Sequence, residues 1–169
     1  DAIFDDVEVD AVKIGMVSVV ETIEVIAAKL RQYDASDIIV DPVMVSKGGF
    51  RLLQPEAQAK LISELLPLAT VVTPNIPEAE VITGLKIVTL EDMQQAAQAI
   101  HAMGAKNVLV KGGHRLTDAT DILFDGEDFY YLPAARIANI NTHGTGCSLS
   151  SAIAANLARG SDIFDAVRQ

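Results

Sequence analysis

Residues 11–43 read AVKIGMVSVVETIEVIAAKLRQYDASDIIVDPV, and three patterns follow one another within them. Ala11-Val12-Lys13-Ile14-Gly15-Met16 is a short apolar run of strand length. Over 19–33 the apolar residues Ile23, Ile26, Ala27 and Leu30 recur at helical spacing. A second strand-like run, 38–43, opens on Ile38-Ile39-Val40 and ends on Asp41-Pro42-Val43. Strand, helix and strand in this order make a βαβ unit, whose two strands lie parallel in one sheet.

The rhythm continues outward. A loop containing Lys47-Gly48-Gly49 leads to a helical pattern over 55–66, with Pro55 suited to a first turn, where its missing N–H is not needed. A strand over 70–73 stops at Pro74-Asn75-Ile76-Pro77, because proline has no N–H to give to a ladder. A short helix over 78–83 ends at Gly84. A longer one over 90–103 keeps Met93, Ala96, Ala97 and Ile100 in register and ends at Gly104, the residue that leaves a helix most easily. His101, inside that pattern, reads as facing solvent.

A strand over 107–111 follows. Then 120–124 and 129–132 flank Asp125-Gly126-Glu127-Asp128 and read as an antiparallel hairpin. The last apolar segment, 148–158, is a small-residue-rich helix closed by Gly160. The expected architecture is α/β: a mostly parallel sheet buried on both faces, with an antiparallel hairpin near one edge, in one domain over 1–169.

Composition narrows the function classes. The chain has 169 residues, half of them hydrophobic and 21% charged, which suits one folded core. No apolar run approaches the roughly 18 residues that span a bilayer. The net charge is −10 and the basic residues are scattered, which argues against nucleic acid as a partner. Cys147 is the single cysteine, so no internal disulfide forms, and a cytoplasmic protein is expected. The sequence opens on Asp1-Ala2-Ile3-Phe4 and stops at Gln169 within an amphipathic pattern, so further residues are expected at both ends.

In an open α/β sheet, ligands bind where the strands end at their carboxyl side. Five such places carry unusual residues: Gly15-Met16; Asp41-Pro42; Asn75 with Glu78; Lys111-Gly112-Gly113-His114; and Asn141-Thr142-His143-Gly144-Thr145-Gly146-Cys147. Gly144-Thr145-Gly146-Cys147 opens a helix. Its glycines let several N–H groups converge where the helix dipole is positive, which suits an anion such as a phosphoryl group in transfer. The plainer reading is a glycine-rich helix start capped by Thr145.

Cys147 stands in the first turn, placed either as a proton acceptor or as a small buried hydrophobe. Lys111 can neutralise phosphate oxygens, and Gly112-Gly113 let a nucleotide approach the backbone; its alternative is a snorkelling strand-end lysine. Asp41 is a carboxylate at a depth that needs a partner or a cation, and Glu78 can join it around Mg²⁺, although a helix-start glutamate is the commoner reading. His114 and His143 lack a partner at metal-ligand spacing and read as loop-shaping residues. The Lys-Ser/Thr ending of a Walker loop is absent, as is a Gly-x-Ser-x-Gly elbow.

Together, Asp10-Ala11-Val12-Lys13-Ile14-Gly15-Met16, Val40-Asp41-Pro42-Val43-Met44-Val45, Val72-Thr73-Pro74-Asn75-Ile76-Pro77-Glu78-Ala79-Glu80, Val110-Lys111-Gly112-Gly113-His114 and Asn141-Thr142-His143-Gly144-Thr145-Gly146-Cys147 resemble the hydroxymethylpyrimidine (phospho)kinases of thiamin biosynthesis. These form a branch of the ribokinase-like superfamily. The resemblance implies a ribokinase-like three-layer α/β/α fold, ATP as co-substrate and Mg²⁺. It makes Cys147 the candidate base, beside a phosphate-cradling loop of Gly144, Thr145 and Gly146.

By the same resemblance Asp41 and Glu78 lie near Mg²⁺. Asn75, Lys111, Gly112 and Gly113 contact the nucleotide phosphates, and Met16 and Val43 pack on the pyrimidine ring. Sugar kinases of the superfamily carry an aspartate where Cys147 stands. The family also has a further N-terminal stretch, with its first strand and several substrate contacts, that this chain does not show. Pyridoxine or pyridoxal kinases and a non-catalytic nucleotide-binding remnant are the rival readings. A small-molecule substrate is expected, and the hairpin over 118–132 would suit a homodimer contact.

Overall fold

The computed structural model describes residues 1–45, 51–113, 119–134 and 144–169; Lys47, Gly48, Gly49, His114, Asp118, Asn141, Thr142 and His143 lie outside the described residues. The elements run β1 (Val12–Ile14), α1 (Val20–Gln32), β2 (Ile38–Val40), α2 (Pro55–Lys60), β3 (Val71–Val72), α3 (Ile76–Thr83), α4 (Leu90–Ala102), β4 (Asn107–Val110), β5 (Asp121–Phe124), β6 (Phe129–Leu132), α5 (Thr145–Ala158) and α6 (Ile163–Arg168). The six strands lie side by side in sequence order. β1 to β4 pair in parallel, β5 runs antiparallel to β4, and β6 returns antiparallel to β5 at the edge.

Because side chains alternate along a strand, each short strand feeds two cores. Ile14, Val40, Val72, Val108, Val110, Ile122 and Phe124 face the layer containing α1 to α4. Ile39, Val71, Leu109 and Leu123 face α5 and α6, where Ile153, Leu157, Ala166 and Val167 cover them. The sheet is therefore the middle of three layers, as the near-continuous apolar strands require.

Several boundaries differ from the sequence reading for local reasons. β2 stops at Val40: Asp41 N still donates to Ile14 O at 2.9 Å, but Pro42 has no donor and Val43 N turns back to Asp41 O at 2.8 Å. The helix expected over 55–66 leaves α geometry after Lys60, widening into a π turn (Leu61–Leu65) and tightening into a 3₁₀ turn (Leu66–Leu68) around Pro67. α3 starts at Ile76 rather than Glu78, because Asn75 caps it and Pro77 sits in its first turn. α5 starts at Thr145, three residues earlier than the apolar pattern indicates.

His101 is only partly exposed, rather than facing solvent. Its ring meets Phe124 edge-on at 5.3 Å, and its Nδ1 is buried with no hydrogen-bond partner among the described residues. The β5–β6 turn covers it, which the helical period alone could not reveal.

Leu109 is fully buried between β4 and the α5–α6 layer, whereas Ile3 is 67% exposed. Leu109→Ala should cost about 2–5 kcal/mol of stability in urea unfolding. Ile3→Ala should stay within about 0.5 kcal/mol of the parent in the same measurement.

Candidate active site

The carboxyl ends of β2, β3 and β4 deliver three polar side chains to the α5 face of the sheet. They are Asp41 just after β2, Thr73 just after β3 and Lys111 just after β4. Lys111 Nζ donates to Asp41 Oδ1 at 3.1 Å, and Thr73 Oγ1 reaches the same oxygen at 3.3 Å. The Asp41 and Lys111 side chains are 3% and 14% exposed, so the ion pair is largely shielded from water. A buried carboxylate is tolerable here because it is paired and hydrogen-bonded.

The first turn of α5 rests on this pair. Ser150 Oγ lies 3.0 Å from Gly146 O, 3.1 Å from Cys147 O and 3.4 Å from Asp41 Oδ2, so one hydroxyl joins the helix to the carboxylate. Gly146 lies close against the pair: a Cβ there would be 3.3 Å from Lys111 Nζ, a tight contact that the end of the lysine side chain would have to ease, and 3.9 Å from Asp41 Oδ2, an ordinary one. Gly144, the N-cap residue, has φ +82°, the left-handed region that glycine enters without strain. The N-cap residue is Gly144, which has no side chain to cap with, so Thr145 is the first residue of α5 and not its cap. The start of α5 points its N–H groups toward the level of a lysine ammonium, a combination able to hold an anion.

Asn75 and Glu78 form a closed capping box at the start of α3. Glu78 N donates to Asn75 Oδ1 at 2.9 Å and Asn75 N donates to Glu78 Oε2 at 2.9 Å. The Asn75 side-chain amide keeps its NH₂ as a donor for a ligand. Asn75 also bridges Lys111 in parallel, through Lys111 N donating to Pro74 O at 2.9 Å. Glu78 is buried, and desolvation pushes its carboxyl up to about 7, against the lowering by the Asn75 amide and Lys111; Asp41 adds a further rise.

Cys147 is exposed in the first turn of α5, so it is not a small core hydrophobe. Met16 is 58% exposed just beyond β1, and Val43 is half-buried beyond β2 on the same rim. Gly112 is buried against β5: its N–H donates to Asp121 Oδ1 at 2.7 Å, and a Cβ would lie 1.9 Å from Thr120 O. Gly113 is exposed in open space.

Thr73, Ser150 and Asp121 were not singled out from the sequence. Ser150 stands four residues after Gly146, one helical turn on, and that spacing was the available signal. Burial raises the Asp121 carboxyl, against the pull of the Gly112 amide and Lys111. Asp121 also lines a cleft of about 470 Å³, with Leu132, Pro133, Leu149, Phe164 and Arg168, beside the Lys111-Gly112 corner. A larger hollow of about 700 Å³, between α2 and α3, is lined by Pro55, Gln58, Ile62 and Glu80 and includes none of the rim residues.

Among the described residues no cluster of three or more metal-ligating side chains exists. Mg²⁺ needs only one or two carboxylates, completing its shell with phosphate oxygens and water. Asp41 and Glu78 fit that demand: both are buried at the same rim, and Asp41 raises the Glu78 carboxyl, an effect of two negative groups close together.

Comparison with known proteins identifies the family. The family model described as phosphomethylpyrimidine kinase matches residues 1–169. A hydroxymethylpyrimidine/phosphomethylpyrimidine kinase of Rhizobium meliloti is 54% identical over 169 residues, covering 99% of this chain and 63% of the relative. The crystal structure of a phosphomethylpyrimidine kinase from Clostridium difficile superposes with a TM-score of 0.87 at 46% identity, covering 98% of this chain and 68% of that one. An ADP complex of Bacillus subtilis pyridoxal kinase gives a TM-score of 0.90 at 40% identity, covering 96% and 62%. The chain spans between about a third and two thirds of the curated relatives first matched, 34%, 63% and 62% of their lengths. It belongs to the phosphomethylpyrimidine kinase family.

The Glu78 carboxyl makes stability depend on pH. Its folded pKa, about 7, lies above the ordinary 4.5, so its favourable contribution is complete below about 4.5 and is lost as pH rises through about 7. Glu78→Gln escapes that loss while its amide oxygen can still accept from Asn75 N. In metal-free buffer the stability of the variant relative to wild type should therefore grow between pH 4.5 and 7.5, by up to about 3 kcal/mol in denaturant titrations. A difference that is flat with pH would remove the buried-acid assignment.

Proposed function

We propose that this member of the phosphomethylpyrimidine kinase family transfers the γ-phosphoryl of ATP to 4-amino-5-hydroxymethyl-2-methylpyrimidine and then to the resulting monophosphate, in thiamin biosynthesis. The observation that carries the reading is the close approach of the α5 start to the Lys111–Asp41 pair, where a Cβ at Gly146 would lie 3.3 Å from Lys111 Nζ. Backbone donors at an open helix start meet there an ammonium that is itself largely shielded, and phosphoryl transfer uses such groups to stabilise charge on the moving group. The names of the relatives supply the substrate.

Each residue has a task in this scheme. The N–H groups of Gly144–Cys147 and Lys111 receive the phosphate oxygens of ATP, while Asn75 contributes its side-chain NH₂. The cleft beside Gly112 takes the nucleotide base on its apolar wall, with Leu132, Leu149 and Phe164 as surfaces. Met16 and Val43 meet the pyrimidine on the other side of Asp41. Cys147 accepts the proton of the hydroxymethyl group as its oxygen attacks the γ-phosphorus in line, and the P–O bond to the β-phosphate breaks with ADP leaving. Asp41 and Glu78 would hold Mg²⁺, which would neutralise phosphate charge. The second transfer has a phosphate oxygen as nucleophile and no hydroxyl to deprotonate, so it depends less on Cys147. The reading includes a cytoplasmic homodimer in contact through the β5–β6 edge.

A vitamin B6 kinase is the second reading, favoured by the solved pyridoxal kinase relative. One assay separates them: ATP- and Mg²⁺-dependent consumption of the hydroxymethylpyrimidine, its monophosphate and pyridoxine by the full-length protein, with wild type beside Cys147→Ala. The first pyrimidine transfer should fall at least about 100-fold in the variant, the scale of a lost general base. The second should fall less than about tenfold. Turnover of pyridoxine alone would transfer the protein to the vitamin B6 kinases, and no turnover of any of the three would leave a nucleotide-binding remnant.

A further inference from the structure

A second cation stands on the same rim, on the far side of Asp41 from Lys111. Val12 and Ile14 face the α1–α4 layer, so Lys13 projects to the α5 face, where its register partner Ile39 also points. The Lys13 side chain runs along β1 toward the carboxyl rim: a Cβ on Gly15, two residues further on, would lie 2.8 Å from Lys13 Nζ. Asp41 N donates to Ile14 O at 2.9 Å, which sets Gly15 and Asp41 at neighbouring levels of adjacent strands. The ammonium thus reaches the level of the site, in the place a Gly15 side chain would take.

Asp41 is committed to Lys111 and Thr73. Lys13 has no ion pair or hydrogen bond among the described residues, although Lys13 is only partly exposed. Two lysines therefore flank one carboxylate, across β1 to β4. Lys111 is paired and abuts the α5 start. Lys13 has no such partner among the described residues and lies toward Met16, where the acceptor is placed in the proposed function. A neutral alcohol offers this ammonium a hydrogen-bond acceptor but no opposite charge. An acceptor that already carries a phosphate brings about two negative charges beside those of ATP, and their mutual repulsion has to be offset on the acceptor side.

We propose that Lys13 binds the phosphate of a phosphorylated acceptor and so selects for the second of the two transfers, with Gly15 leaving the space its ammonium occupies. The inference rests on the two-step kinase reading and names the residue that tells its two substrates apart.

The test compares kcat/KM for the pyrimidine monophosphate and for the parent alcohol in full-length wild type, Lys13→Met and Lys13→Arg, with binding of each acceptor measured by calorimetry without nucleotide. In Lys13→Met the ratio of kcat/KM for monophosphate over alcohol should drop about tenfold or more, the scale of one charge-assisted hydrogen bond. Arginine should restore most of it. Monophosphate affinity should weaken in parallel, and in wild type it should fall with added salt. An unchanged ratio, or equal losses on both acceptors, would overturn the assignment while leaving the kinase reading intact. Wild type that turns over and binds neither acceptor would overturn both.

Discussion

The ion pair between Lys111 and Asp41 is the constraint on which the rest of the site depends. It joins the ends of β2 and β4 across β3, at a depth where either charge alone would be expensive to bury. Ser150 links the carboxylate to α5, and Gly146 lets the helix come down onto the ammonium. Without the pair, the first turn of α5 would have no fixed floor, and the convergence of its N–H groups with a cation would be lost. The pair also divides the rim. In the proposed function the nucleotide would lie toward β4 and β5, where Asp121 holds Gly112, and the acceptor toward β1, with Met16 and Lys13.

The three-layer architecture makes this arrangement possible. Four parallel strands all end on one edge, so residues distant in sequence arrive together: Asp41 and Lys111 are 70 positions apart, and Ser150 is 109 from Asp41. α5 supplies a helix start at that edge and a buried apolar face beneath it, where Ile153 and Leu157 cover Ile39, Val71 and Leu109. The packing that stabilises the sheet also aims the helix dipole at the strand ends.

Much of this was legible from particular residues. The βαβ rhythm of residues 11–43 and the turn at Asp125-Gly126-Glu127-Asp128 were enough to expect parallel strands with an edge hairpin, because alternation and turn chemistry are local. The polar strand ends marked the rim. What the sequence did not disclose is how those residues pair. Asn75 and Glu78 carry a capping-box spacing, and the box is formed, yet the pattern gave no sign that burial would hold the Glu78 carboxyl near neutrality. Thr73 and Ser150 are ordinary residue types whose importance comes only from lying against Asp41. His101 follows helical periodicity onto a face that would be open if the β5–β6 turn did not cover it. Such contacts depend on which segments meet in space, and neither propensity nor period encodes that.

The most direct measurement of the central claim is a crystal structure of the full-length protein with a non-hydrolysable ATP analogue and Mg²⁺. The account predicts the terminal phosphates within hydrogen-bond distance of the backbone N–H groups of Gly144–Cys147 and of Lys111 Nζ, with the base in the cleft beside Asp121. Phosphates bound away from the α5 start, with Lys111 turned only toward Asp41, would contradict it.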